Sequence, residues 1–350
     1  MGAAVPIIDI LVDGKEVSDA DFISFVVDRD MYQPDMAAVV LSNQNDIYGG
    51  KFEIGMSLEI KVGNPTKSIY VGEIVGFEGV YKGGEPTKLC LRAMNKLHRL
   101  LRKRKSVTYT DKTDEAILKE VVKDGGLTLK WKHETSITYK HVYQHNQTDL
   151  EFLRTRAARL GCHVWCVGTD LFVKEPDFGN SSTVKLSIDK GGALRGFTPR
   201  INSASVVKKV TVKGWNPETK ELIVGEATNP GSKLAKEDAV VASKDLGKEE
   251  TFTVDHPIWS KEEAKAIATA RLRDLNLTFC TAEAECSGNT EVELGQTLEI
   301  IADGTEGHDE PFNGLYYVMG MTHRHSQPKS KDGGFITIFK LARDGQKKKG

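Results

Sequence analysis

"FEIGMSLEIKVG" (residues 52–63) is met again as "VELGQTLEIIADG" (residues 292–304), with Gly55 over Gly295, Leu58 over Leu298 and Ile60 over Ile300. In both, a glycine precedes an alternating run, the pattern of a turn that feeds a half-buried strand. The neighbouring segments agree in order. Before them, "DMAAVVLSN" (35–43) parallels "FCTAEAECSGN" (279–289). After them, "SIYVGEIVGFEGVYKGGEPTKLCLRA" (68–93) parallels "LYYVMGMTHRHSQPKSKDGGFITIFKLAR" (315–343). Each of the last two is a strand pair joined by a polar, glycine-containing loop. A register that recurs through three successive strands points to a duplicated β-barrel rather than to shared strand composition.

Around this repeat the texture of the chain changes twice. The first hundred residues read as short strands, including a hairpin turning at Asp13-Gly14, where a primed turn needs positive φ. From about Lys105, "DKTDEAILKEVVKDGG" opens with acids, places Ile117, Val121 and Val122 on one side and stops at Gly125-Gly126, an amphipathic helix. In "TDLEFLRTRAARLGCHVW" (148–165), Thr148 and Glu151 form a capping box, while Leu150, Leu153, Ala157 and Leu160 share a face. Gly161 supplies the left-handed exit, and a hairpin through "GTD" follows. Later come a hairpin turning at Asn216-Pro217, a polar stretch over 228–250 expected as a surface loop, and a helix opened by a second capping box, Ser260 with Glu263. The expected fold is mainly β with an α+β insert: two tube-like β-barrels flanking a small α/β domain. The expected boundaries are 1–104 for the first barrel, 105–180 for the insert, 181–345 for the second barrel with one helix at 260–275, and 346–350 for a basic tail.

Bulk properties bound the function. With 350 residues, two or three domains are expected. Lys and Arg total 48 against 49 Asp and Glu, which removes the general electrostatic case for a nucleic-acid binder. The N-terminus has no basic start, and Pro6 and Asp9 break its apolar stretch, so a signal peptide is not supported; Pro6 also stands where a myristoylation signal wants Ser or Thr. No apolar run approaches a bilayer span, so a soluble protein made in the cytosol, without membrane insertion, is expected.

Candidate chemistry is thin. Cys90, Cys162, Cys166, Cys280 and Cys286 are too scattered for a disulfide framework and read as buried thiols. Cys162 and Cys166 lie on an alternating segment, roughly 13 Å apart along one strand face, too far to share a zinc. His163 points to the opposite face and is expected to pack or meet solvent beside Trp165. His323 and His325 share a strand face and could hold a metal with His308 or Asp309, although no fixed motif supports this. Arg99, Arg102, Lys103, Arg104 and Lys105 form a basic cluster. Without interleaved aromatics it reads as a solvated junction or a protein-contact patch rather than a nucleic-acid groove. No phosphate loop, dinucleotide fingerprint, nucleophile elbow or HExxH is present. No catalytic residue, metal or cofactor is expected.

Four segments in order, "LHRLLRKRKSVTYTDKTDEAILKEVVKDGGL", "VYQHNQTDLEFLRTRAARLGCHVWCVGTDLFV", "VKGWNPETKELIVGEA" and "GLYYVMGMTHRHS…GGFITIFKLAR", resemble the phage late control D proteins. These are similar to the baseplate hub of contractile tails and to the N-terminal part of VgrG. The resemblance implies a non-enzymatic homotrimer whose six barrels let a hexameric inner-tube protein stack on one face and a trimeric spike on the other, among other baseplate proteins. It implies assembly in the bacterial cytoplasm into a virion or phage-like particle. Unlike VgrG, the sequence has no needle-like repeat after the second barrel, so the spike is expected to be a separate protein. The rival readings are a tail-tip peptidoglycan hydrolase, for which no acidic cleft is legible, and an OB-like nucleic-acid-binding protein, suggested only by the cluster from Arg99 to Lys105.

Overall fold

The computed structural model describes residues 6–133, 137–179, 181–189, 192–254, 258–302, 311–326 and 334–346. The first barrel unit comprises β1 (Ile7–Val12), β2 (Lys15–Glu16), β3 (Phe22–Asp30), β4 (Met36–Ser42), β5 (Ser57–Gly63), β6 (Thr66–Val80) and β7 (Lys88–Met94). An α/β unit follows: β8 (Arg104–Tyr109), β9 (Lys112–Thr113), α1 (Asp114–Lys123), β10 (Thr128–Lys132), β11 (Thr138–Tyr139), β12 (Val142–Thr148), α2 (Asp149–Arg159), β13 (His163–Val167) and β14 (Asp170–Lys174). The remainder is β15 (Ser181–Ser187), β16 (Leu194–Ile201), β17 (Lys209–Asn216), β18 (Glu221–Thr228), β19 (Glu237–Asp238), α3 (Ala239–Ala242), β20 (Glu250–Val254), α4 (Lys261–Leu277), β21 (Cys280–Ser287), β22 (Thr297–Ile301), β23 (Gly314–Ser326), β24 (Gly334–Arg343) and β25 (Gly345–Gln346).

One 13-stranded sheet carries both halves of the repeat, in the order β16-β21-β24-β23-β3-β4-β7-β6-β5-β1-β2, with β22 on β23 and β15 on β22. The first set is therefore β3-β4-β7-β6-β5-β1 and the second β16-β21-β24-β23-β22-β15, the same order strand for strand. Only the sixth place differs in direction: β1 lies antiparallel to β5, whereas β15 lies parallel to β22. Each set rolls around its own core. Ile10, Phe25, Val39, Leu58, Ile60, Ile74 and Leu91 fill the first, and Ala284, Leu298, Ile300, Tyr316, Val318 and Phe339 the second. Burying each large aliphatic side chain contributes about 1.5–3 kcal/mol.

The register repeats as well. Leu58 faces Gly72 and Ile60 faces Tyr70 in the first set; Leu298 faces Tyr316 and Ile300 faces Gly314 in the second. Ala37 faces Ala93 and Val39 faces Leu91, matched by Ala282 with Leu341 and Ala284 with Phe339. Two irregularities recur at the same stations. The β6–β7 ladder skips Val75, passing from Ile74 opposite Ala93 to Gly76 opposite Arg92. The β23–β24 ladder skips Met319, passing from Val318 opposite Leu341 to Gly320 opposite Lys340. Likewise β3 skips Ile23 against β4, and β16 skips Arg195 against β21. Such bulges sharpen the local twist, which is what rolls a flat sheet into a tube.

The glycine turns are built alike. Gly55 and Gly295 both have positive φ, +99° and +79°. The Gly55 N–H donates to Ile74 O and the Ile74 N–H to Met56 O; the Gly295 N–H donates to Val318 O and the Val318 N–H to Gln296 O. This is why the repeat begins with a glycine: the turn needs a backbone region that a Cβ disfavours.

The first α/β unit follows its sequence signals. Thr113 caps α1, and the full capping box of Thr148 and Glu151 opens α2. Gly126 and Gly161 close these helices in the left-handed conformation, with the Leu127 N–H on Val122 O and the Cys162 N–H on Ala157 O.

The second half corrects three expectations. The stretch 228–250 is not simply a surface loop. It carries β19, paired with β25, and α3, capped by Asp238, while Leu234 and Ala239 enter the second barrel's core. Its polar side chains serve as caps and turn-formers. The Ser260 box is only half made: Ser260 accepts the Glu263 N–H, but Glu263 accepts the Trp259 N–H and not that of the cap residue. The helix runs to Leu277 rather than 275. With β17, β18 and β20 it forms a separate layer around Val210, Val212, Ile223, Ile258 and Ile267. That layer occupies the β16–β21 connection, where the first set has only the short link from β3 to β4.

Candidate functional site

The two barrel units meet where β23 pairs antiparallel with β3, from Gly320 opposite Asp30 to Ser326 opposite Ser24. One face of this joint is buried and carries Met321, His323 and His325 against Arg29, Val27 and Phe25. The other face is polar. Thr322 Oγ1 donates to Asp28 at 2.6 Å, and Lys340 Nζ reaches Asp30 at 2.6 Å. Arg29 Nη1 lies 2.9 Å from Glu293 Oε2, and its Nε is 3.4 Å from Asp35 Oδ2. Burial alone would lower the Arg29 pKa, and the charges of Asp35 and Glu293 more than offset this and raise it. Burial pushes the Asp35 carboxyl up to about 7, against the pull of Arg29.

The two histidines of "THRHS" are structural parts of this joint. His323 is buried with Nδ1 3.0 Å from Thr337 Oγ1, and burial followed by the Arg29 charge lowers its pKa to about 3. His325 stacks on Phe22 and Phe25 at 5.8 and 6.0 Å. The third ligands considered with them, His308 and Asp309, lie outside the described residues. Among the described residues no three His, Cys, Asp or Glu side chains gather as a metal site would require. All five cysteines are free and buried, and burial pushes the Cys162 and Cys166 thiols up to about 12. Such thiols are inert.

The α/β unit docks on the second barrel through the residues that open β13. His163 is buried, with Nδ1 3.0 Å from Tyr317 Oη, and it meets Tyr32 edge-on. Trp165 stacks on Phe172 and lies against Gly295, where a Cβ would stand 3.1 Å from the indole. The Tyr32 N–H donates to Val164 O, so the β3–β4 link is held by the same unit. Arg159 Nη2 of α2 lies 2.8 Å from Oε1 of fully buried Glu263 on α4, tying the two inserted layers together. No local signal in the sequence marks Arg29, Asp35, Arg159 or Glu263 as partners, although Asp35 and Glu293 both fall within the repeated segments.

The basic cluster divides. Arg99 is bidentate on Glu73, Arg104 pairs with Glu151 at 3.0 Å, and Lys105 bridges Asp124 and Asp149 at 2.8 and 2.7 Å. Arg102 and Lys103 remain exposed. An open groove of about 880 Å³ between α2, α4 and β20 is lined in part by Arg159, Phe252, Arg271 and Asp274. Arg271 there donates to Thr253, and Asp274 sits 3.9 Å from His163 Nε2. These are anchoring contacts rather than an aligned nucleophile and base. No helix among the described residues is long and apolar enough to cross a membrane.

The fold is that of phage tail and VgrG-like proteins. A tail protein from Neisseria meningitidis MC58 superposes with a TM-score of 0.73 at 15% identity, over 98% of each chain. The 43 kDa tail protein of prophage MuSo2 from Shewanella oneidensis gives 0.71 at 14% identity, over 97% of this chain and 99% of that one. An E. coli component of the type VI secretion system gives 0.64 at 11% identity, over 95% and 76%. No curated protein matches the sequence. The family model described as the Alg8 N-terminal domain matches residues 4–327, and the chain belongs to that family.

Proposed function

We propose that this chain is a non-enzymatic structural hub of a contractile phage tail or phage-like injection particle. Three copies form a ring that joins a hexameric inner tube to a separate trimeric spike. The observation that carries this reading is the second barrel's reuse of the first barrel's strand order, register and bulges. Two like units per chain and three chains per ring give six like stations to one partner and three to another, which a single barrel per chain cannot do. The relatives lend support: two are tail proteins, and the third is a type VI secretion component with structural similarity to the T4 tail proteins gp27 and gp5. On this reading Arg102 and Lys103, exposed at the end of the first barrel unit, face an acidic surface of another baseplate protein. Assembly takes place in the cytoplasm and the product is part of the particle. Light scattering on the purified chain, alone and with its tube and spike proteins, tests the proposal. A trimer, alone or formed on partner addition, is expected. A monomer that binds neither partner would overturn it, as would clearing of a peptidoglycan suspension by the chain alone.

A further inference from the structure

Resting on the hub reading above, we infer that a second copy of this chain lays its β16 edge along the outer half of β6. The sheet then continues antiparallel, with Ile201 opposite Phe77, Arg200 opposite Glu78, Pro199 opposite Gly79 and Thr198 opposite Val80. The inference comes from the repeat itself. Within the chain, β23 has β24 on one side; on the other it has β22 and, beyond β22, β3. Its counterpart β6 has β7 on one side and β5 on the other, and among the described residues no strand pairs with Gly76–Val80 beyond β5. The counterpart of β3 is β16, which pairs with β21 and ends the sheet. Among the described residues the chain thus contains one completed joint and one vacant half-joint of each kind, a head-to-tail arrangement that makes a ring when the rotation between copies closes, as the threefold hub requires.

The register follows from the equivalences already established. At the internal joint Arg29 faces Met321, Asp28 faces Thr322, Val27 faces His323, Val26 faces Arg324 and Phe25 faces His325. Carrying each residue to its counterpart gives the four pairs stated and, just past the end of β6, Phe197 opposite Tyr81.

The side chains at those stations suit such a joint. Phe77 with Ile201, Gly79 with Pro199 and Tyr81 with Phe197 fall on the face that is buried at the internal joint. In the single chain Phe77 is 50% exposed, Tyr81 77% and Ile201 41%, so the face is apolar and uncovered. On the opposite face Glu78 meets Arg200, an acid against a base, where the internal joint has the Thr322 hydroxyl on Asp28. Arg92, which holds Glu78 at 2.6 Å, stands where Lys340 stands when it reaches across to Asp30. Pro199 lacks an N–H, so the ladder between chains has at most one donor fewer than the internal one, and the proline keeps this edge from pairing indiscriminately.

Disulfide mapping on the full chain tests the register. Glu78→Cys and Arg200→Cys, introduced together, put thiols on directly opposed residues, within reach of a disulfide, whereas Glu78→Cys with Thr198→Cys places them on a diagonal of about 7–8 Å. Native Cys90 faces position 78 across the β6–β7 ladder of the same chain, so both double variants are made on a Cys90→Ser background; the other four native cysteines are buried and give little background. Oxidation should yield covalent dimer and trimer for the first pair and at least tenfold less, about the geometric limit, for the second. In parallel, Glu78→Arg should weaken the trimer by about tenfold or more, and adding Arg200→Glu should restore it. If the chain is trimeric by mass yet the opposed pair does not cross-link and charge reversal has no effect, this joint is wrong and the hub reading stands. If no trimer forms even with tube and spike proteins present, both fall.

Discussion

Trp165 covers Gly295 but no described residue covers Gly55, although the two glycines hold the same turn in the two halves of the repeat. A Cβ at Gly295 would stand 3.1 Å from the indole, and one at Gly55 would meet no atom of a described residue within 4 Å. The duplication has diverged by what lies on it: the α/β unit is seated on the second copy's turn, and among the described residues nothing is seated on the first copy's.

Alanine at the two positions separates backbone strain from packing. Both have positive φ, so Gly55→Ala should destabilise by about 1–2 kcal/mol from the left-handed conformation alone. Gly295→Ala should cost this plus displacement of the Trp165 ring, about 1–3 kcal/mol more. Chemical denaturation of both variants checks the order; equal losses would mean that Trp165 yields freely.

The Arg159–Glu263 pair should behave as a buried ion pair. Glu263 is fully buried and Arg159 nearly so. Glu263→Ala removes the counter-charge and the acceptor of the Trp259 N–H, so a loss of about 3–5 kcal/mol is expected. Exposed Arg104–Glu151 is the control; Arg104→Ala should cost at most about 1 kcal/mol.

Removing the α2 cap tests the first α/β unit alone. Thr148 accepts the Glu151 N–H, and the Glu151 carboxylate accepts the Thr148 N–H, which lowers that carboxyl's pKa. Thr148→Ala should destabilise by about 1 kcal/mol, read as a shift in denaturation midpoint with an unchanged slope.

Acid should loosen the joint between the barrels. His323 has a folded pKa of about 3, below its unfolded value, so the unfolded chain takes up the proton first. The stability conferred by the neutral ring is full above about pH 6.5 and is lost as pH falls toward 3. His163 and His325, both lowered by burial, act in the same direction. Asp35, raised to about 7, acts oppositely: its contribution is full below about pH 4 and fades as pH rises through 7. His323→Gln should therefore flatten the dependence of unfolding free energy on pH between 6.5 and 3. An unchanged slope would place the acid sensitivity elsewhere.

How much was legible in the sequence depends on whether local chemistry carried the information. Gly55, Gly295 and the alternating residues after them betrayed the duplication because turn and burial constraints act on individual positions. Thr148, Gly126 and Gly161 betrayed the helices of the first α/β unit for the same reason. The match of β6 to β23 was visible only as order, since "GEIVGFEG" and "YYVMGMTH" share one glycine at equivalent places, Gly76 and Gly320, and little else. The β17–β18 hairpin and helix α4 were each visible, but the layer they form was not, because β20, which pairs with β17, lies far along the chain from it and the polar connection between resembles a loop. The clusters around Arg29 and Glu263 were illegible, because their partners come from different elements and only the fold brings them together. The basic run from Arg99 to Lys105 looked more available than it is, since Glu73, Glu151, Asp124 and Asp149 that neutralise it are distant in sequence.

The claim at the centre is that one chain supplies two equivalent stations of a ring. Electron microscopy of the assembled hub viewed down its axis tests it most directly. The account predicts a sixfold rotational component at the radius of the barrel units and a threefold component at the radius of the inserted layers. Averages with threefold signal and no sixfold component at the inner radius would contradict it.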